Sequence, residues 1–199
     1  MRAVVLATED ALSETVGRRI VDDAGSGLTV SQSLRRDGFG YLRKRLQNFC
    51  KLARHVPVLL LTDLDTKECP AALIEEWSRG NIIPKQLLIR VAVRQVESWL
   101  LADRDGMARL LKISVQKLPR DPDALPDAKR SLLQLAQRAP RSIREDLVAE
   151  HGAAAAQGLG YNTLLSDFVR NSWDPSQAEL FSNSLARARM RVNKLAASG

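Results

Sequence analysis

The sequence predicts an α/β protein: a mainly parallel sheet flanked by helices, followed by an α-helical C-terminal region. Three observations carry this reading. Short apolar runs alternate with segments of helical period through the first half. The runs are apolar at successive positions, as strands covered on both faces must be. After Val93 no further strand-like run occurs. The strands are Ala3–Ala7, Leu28–Val30, Val56–Thr62 and Leu87–Val93. Between them Ala11–Asp23, Tyr41–His55 and Ala71–Ser78 place apolar residues three or four apart and are bounded by Gly or Pro, which marks helices. The order βαβαβαβ implies right-handed crossovers and helices on both faces of the sheet, with functional residues just beyond the carboxyl ends of the strands.

A helical stretch begins at Gln95–Ala102 and continues towards Lys112. Leu118–Pro126 is a proline-punctuated connector, and Ala128–Arg138, Ile143–Val148, Thr163–Trp173 and Ser184–Leu195 are helices by their period. Gly152–Gly160 reads either as a loop or as an alanine-driven helix extension. The expected organisation is an α/β domain over residues 1–104 and a helical extension over 105–199 that packs on it or binds a partner.

With 199 residues, 45% of them hydrophobic and 27% charged, the chain has the composition of an ordinary folded domain with a sizeable core. No apolar run approaches the roughly 20 residues of a membrane helix, and the first ten residues lack a signal peptide, so a cytoplasmic protein is expected. The 30 Lys and Arg exceed the 23 Asp and Glu, giving +7, which favours polyanionic partners such as nucleic acid. Cys50, Cys69, His55 and His151 have neither zinc-site spacing nor a neighbouring nucleophile motif, so carboxylates are left to carry any chemistry. No Gly-x-x-x-x-Gly-Lys-Ser/Thr loop occurs, so an ATPase would have to be another chain.

The carboxylates stand at strand ends: Glu9 and Asp10 after the first strand, Asp63-Leu64-Asp65 after the third, and Glu97 after the fourth. An extended Asp-x-Asp puts both side chains on one face, where they repel unless a cation lies between them. Such oxygen ligands suit Mg²⁺ or Mn²⁺, held by Glu9, Asp63 and Asp65 with Glu97 nearby. The bland alternative makes Asp63 or Asp65 the cap of the helix near Pro70, and Glu97 a favourable acid at a helix N-terminus. Arg43, Lys44, Lys67 and Arg94 flank these acids as candidate nucleic-acid contacts, and Arg35–Arg45 leads glycines into a helix beside cations, as a phosphate cradle would. The tryptophans, with Phe49, Phe168 and Phe181, lie in apolar patterns and read as core or interface, whereas Phe39 between two glycines reads as exposed. Leu185–Lys194 gathers cations on one helix, a solvated face or a nucleic-acid contact.

A glutamate after the first strand, an Asp-x-Asp after a later apolar strand, and the alternating order over about residues 1–104 together resemble the TOPRIM domain of topoisomerases, primases, recombination proteins and OLD-family nucleases. The resemblance implies that Glu9 matches the TOPRIM glutamate, and Asp63 and Asp65 the two acids of its Asp-x-Asp motif. The segment Arg90–Asp103 is similar to a motif of small bacterial TOPRIM-like proteins that accompany ATPases in mobile-element defence, and would add Glu97 and Asp103 to the acidic site. The chain departs from the pattern at Glu9-Asp10, where Gly often follows the glutamate, and at Thr66-Lys67-Glu68, where a small residue is usual. Tyr41 and Tyr161 are the only tyrosines, and nothing resembles strand-gating domains or a primase zinc module. The function implied is a Mg²⁺- or Mn²⁺-dependent nuclease, a phosphodiester hydrolase serving as effector in mobile-element or phage defence beside an ATPase. Glu9 or Glu97 would accept the proton of the attacking water. The alternative is a noncatalytic TOPRIM-like interaction protein that docks nucleic acid or an ATPase; the sequence leaves a homo-oligomer open.

Overall fold

The computed structural model describes residues 2–35, 40–150, 152–153 and 155–198. Four strands, β1 (Arg2–Thr8), β2 (Leu28–Arg35), β3 (Val58–Asp63) and β4 (Leu87–Ala92), form one parallel sheet in the order β2-β1-β3-β4. Helices α1 (Ala11–Asp23), α2 (Tyr41–Leu52) and α3 (Pro70–Ser78) connect them. The α/β reading with its helical C-terminal region is what the chain adopts. Because side chains alternate along a strand, the apolar runs feed two cores. Val5, Ala7, Leu60, Ile89 and Val91 meet α2 and α3 on one face, while Val4, Leu6, Leu59, Leu61 and Leu88 meet α1 and the later helices on the other.

The later helices are α4 (Val96–Ala102), α5 (Arg104–Leu111), α6 (Ala128–Ala136), α7 (Arg141–Leu147), α8 (Tyr161–Asn171), α9 (Pro175–Ala178) and α10 (Asn183–Ala197). Their apolar faces supply Trp99, Leu132, Phe168, Leu185 and Val192, and the α8–α9 link supplies Trp173, to the same hydrophobic cluster that holds Val4 and Leu6. Polar bonds hold this layer together. Asp123, in the proline connector, accepts from the Ser182 hydroxyl at 2.7 Å and the Ser184 N–H at 2.8 Å, and the Ser184 Oγ accepts from Trp99 Nε1 at 2.6 Å.

Several expectations need correction. β2 runs to Arg35 rather than ending at Val30, because it is an edge strand whose Ser31 and Gln32 face solvent while its backbone still pairs with β1. The helix from Gln95 does not continue to Lys112: Asp103 breaks it, its Oδ1 capping α5 through the Gly106 N–H at 2.9 Å. Of the two readings of 152–160, the described part follows the loop, with turns and a bridge from Gln157 to Val148. Phe181 is 38% exposed, with the Arg104 guanidinium over its ring, and is not core. Trp77 is only partly buried, against the α2–α3 core. No helix among the described residues is long and apolar enough to cross a membrane.

Candidate functional site

The chain turns from β1 outward to β2, then returns to place β3 on the other side of β1. The carboxyl ends of β1 and β3 therefore flank the topological switch point, where ligands of open α/β sheets bind. Glu9 follows β1 there, and its Oε1 accepts the Gly40 N–H at 3.2 Å. Gly40 opens α2 at φ 80°, a conformation glycine takes without a Cβ penalty. Asp10 caps α1, accepting both the N–H and the hydroxyl of Ser13 at 2.8 Å.

Asp63 ends β3 and points its Oδ1 at the first turn of α4, accepting the Val96 N–H at 2.9 Å. Neither Asp63 nor Asp65 caps the helix at Pro70; the Cys69 Sγ does, accepting the Ala72 N–H. Asp65 corrects the extended Asp-x-Asp expectation. It lies in a turn at φ 50°, held by its N–H to the Arg94 carbonyl at 2.9 Å, so the period-two alternation that would align it with Asp63 stops at Leu64. Glu97, in the first turn of α4, is 5% exposed and accepts the Tyr161 hydroxyl at 2.7 Å.

Electrostatics ties these side chains into one group. Burial pushes the Asp63 carboxyl well above its usual value, and the charges of Glu97, Asp10 and Asp65 push it further, against the Val96 hydrogen bond. Glu97 is raised by burial, with Asp10 adding to the rise and the Tyr161 hydroxyl and Lys129 opposing it. Glu9 is raised by burial and by Asp65 and Asp10, against the N–H groups of Gly40 and Leu42. Asp65 is raised by partial desolvation and by Asp127. Tyr161 is pushed strongly upward by burial and by Glu97, which keeps it a hydroxyl and a poor nucleophile.

No Lys or Arg among the described residues forms an ion pair with Glu9, Asp10, Asp63, Asp65 or Glu97. Such a crowd of unneutralised oxygen donors fits a hard divalent cation in its chemistry. In its geometry, no three Asp, Glu, His or Cys side chains among the described residues are arranged to hold one ion. Mg²⁺ binds through as few as one or two carboxylates, with waters and substrate oxygens as its other ligands, and the edge meets that lesser demand.

Of the four cations read from the sequence, Arg43 and Lys67 meet on the carboxylate of Glu76, Arg43 at 3.1 Å. Arg94 donates to the carbonyl oxygens of Lys67 and Asp65 and so braces the β3–α3 loop. Lys44 is exposed and enters no ion pair among the described residues. Of the proposed glycine-rich cradle, Arg36–Phe39 lie outside the described residues, Phe39 included. Asp103 is spent on the backbone N–H groups of Gly106 and Asp174, both at 2.9 Å, and is 2% exposed.

Sequence reasoning missed the contribution of the C-terminal helices. Asp127 caps α6 through the Arg130 N–H, Lys129 lies 5.0 Å from the centre of the Tyr161 ring, and its N–H bonds Gln95 Oε1 at 3.0 Å. The one sequence signal was Asp127 ending the proline connector before a helical run; nothing local marks Lys129 or Tyr161. Comparison of the chain with family models, with curated proteins and with solved structures gave no match.

Proposed function

We propose that the protein is a metal-dependent nuclease of TOPRIM type, hydrolysing phosphodiester bonds in DNA or RNA in the cytoplasm. The observation that carries this reading is the convergence of Glu9, Asp63, Asp65 and Glu97 at the switch point with no cation paired to them. Mg²⁺ or Mn²⁺ bound through one or two of Glu9, Asp63 and Asp65 would neutralise charge developing on the scissile phosphate. The protein's own part follows from its hydrogen bonds. Val96 fixes Asp63, Gly40 fixes Glu9, and Tyr161 fixes Glu97, so the acids are held before substrate arrives. Glu97 or Glu9, each raised in pKa, takes the proton of a water whose oxygen attacks phosphorus as the P–O bond to the leaving alcohol breaks. Lys44 is exposed without an ion pair among the described residues and would contact the phosphate backbone, which Arg43, Lys67 and Arg94 would reach by exchanging Glu76 and the loop carbonyls for it. An ATPase on a separate chain, in a defence system against mobile elements, is the setting that the Arg90–Asp103 resemblance suggests.

A specific observation favours a second reading, a noncatalytic protein of the same fold that docks nucleic acid or an ATPase. The same three hydrogen bonds also anchor the starts of α2, α4 and α8, which is a structural use for each acid. Calorimetric titration of Mg²⁺ and Mn²⁺ separates the two. The nuclease reading expects saturable binding that a folded Asp63→Ala/Asp65→Ala variant loses, together with loss of cleavage of DNA or RNA polymers. Absence of binding even with polynucleotide present, or cleavage unchanged in the variant, selects the second reading.

A further inference from the structure

We propose that the acid-free face of α2, with the groove between α2 and edge strand β2, is the track along which a nucleic-acid backbone reaches the carboxylate edge. The inference rests on the nuclease reading, since it supplies that site's substrate path. Its components come from α2 itself. Across Tyr41–Leu52 the helix carries Arg43, Lys44, Arg45 and Lys51 and no Asp or Glu, and Arg54 follows it. Lys44, Arg45, Lys51 and Arg54 are exposed and enter no ion pair among the described residues.

Helix α10 also presents exposed cations without an ion pair among the described residues, Arg187, Arg191 and Lys194, but it starts against Trp99 of α4 and not at Glu9. The remaining cation-rich surfaces differ. Along α1, Arg18 pairs with Glu14 at 3.1 Å, Arg35 at the end of β2 shares the same Glu14, and Arg170 on α8 pairs with Asp167. Their charge is spent within the protein. On α2 it faces solvent, where a row of phosphates releases its counterions to bind.

Position supplies the second argument. The residue that starts α2, Gly40, gives its N–H to Glu9, so Arg43, Lys44 and Arg45 stand in the first turns of a helix that begins on the acidic edge. A groove of about 310 Å³ adjoins this face, lined by Arg35, Tyr41, Arg45, Asn48 and Phe49 among others. Tyr41 meets Phe49 edge-on with centroids 6.1 Å apart, which gives the groove a fixed aromatic wall between a guanidinium and an amide. Arginine and asparagine side chains beside an aromatic pair suit a sugar-phosphate strand. They bind phosphate without a set of base-edge readers, so the binding is indifferent to sequence.

The test is fluorescence anisotropy with labelled single-stranded and double-stranded DNA oligonucleotides of mixed sequence. It compares the wild type, Lys44→Gln/Arg45→Gln/Lys51→Gln on α2, and Arg187→Gln/Arg191→Gln/Lys194→Gln on the exposed face of α10, which removes the same charge elsewhere. Far-ultraviolet circular dichroism establishes that each is folded. The α2 variant is expected to weaken binding at least tenfold and to lower the slope of log K against log salt by about two to three, roughly 0.7–0.9 for each phosphate that is no longer neutralised. The α10 variant is expected to retain wild-type affinity to within about twofold. Equal weakening in both variants would mean that net charge, not the α2 face, binds the polymer, and would overturn the inference. So would wild-type affinity in the α2 variant, or no binding by the wild type. Asp63→Asn separates this outcome from that of the nuclease reading. Binding retained by Asp63→Asn but abolished in the α2 variant upholds the track even where no cleavage is seen. Cleavage by the wild type that the α2 variant performs equally well upholds the nuclease and removes the track.

Discussion

Glu97 is a carboxylate taken almost wholly out of water, at 5% exposure, and the Tyr161 hydroxyl at 2.7 Å is its side-chain donor. Burial lifts its carboxyl above the ordinary value. The folded protein then holds that proton to higher pH than the unfolded chain does. The stability Glu97 contributes is complete below the unfolded pKa and is lost as pH rises through the raised folded one. The Tyr161 hydrogen bond opposes this loss, because it favours the charged form. Tyr161→Phe keeps the ring in the core and removes only that donor. The expected cost is about 1–3 kcal/mol near neutral pH, shrinking as acid protonates Glu97 in both folded and unfolded chains. Urea unfolding of the wild type and variant across the acid to neutral range measures it. A cost that does not change with pH would mean that the hydroxyl does not distinguish the two charge states.

At the scale of the element, the break between α4 and α5 shows how a single acid can join two helices. Asp103 accepts from Gly106 to start α5 and from Asp174 to dock the residue that caps α9. A Cβ on Gly106 would run into the same carboxylate, so cap and glycine are matched by shape. Asp103→Ala is expected to cost about 2–3 kcal/mol in chemical denaturation while leaving unchanged the Mg²⁺ binding that the proposed nuclease requires. Loss of Mg²⁺ binding in the folded variant would put Asp103 in the site. Much of the element order is legible in the sequence because strands buried on both faces read as unbroken apolar runs. β2 is the exception, since Ser31 and Gln32 on an edge strand carry no apolar signal. Glu9, Asp63 and Glu97 are legible as strand-end acids, because a parallel sheet brings such ends to one edge. The turn that carries Asp65 off the strand is set by backbone conformation, and the bond from Tyr161 to Glu97 closes across 64 residues, beyond any local pattern.

The whole molecule is held by contacts between its early and its late helices. Arg189 on α10, 7% exposed, bridges Asp23 at the end of α1 and Glu179 after α9. Trp173 donates its Nε1–H to the Trp99 carbonyl at 3.1 Å, tying the end of α8 to α4. One hydrophobic cluster runs from Val4 to Leu195, so the sheet face formed by Leu6, Leu59, Leu61 and Leu88 is covered partly by helices after residue 104. Removing those helices exposes that face and also takes away Lys129 and Tyr161 beside Glu97. A chain ending at residue 104 is therefore expected to lose the fixed environment of Trp99, which is fully buried in the 199-residue chain. The near-ultraviolet circular dichroism of the fragment and its amide chemical-shift dispersion report this directly, and both are expected to collapse while helical signal persists. The 199-residue chain is expected to unfold in one transition that near- and far-ultraviolet signals follow together. A fragment that unfolds cooperatively with a dispersed spectrum would show that the sheet and α1–α4 form a core of their own, with the later helices as an added layer.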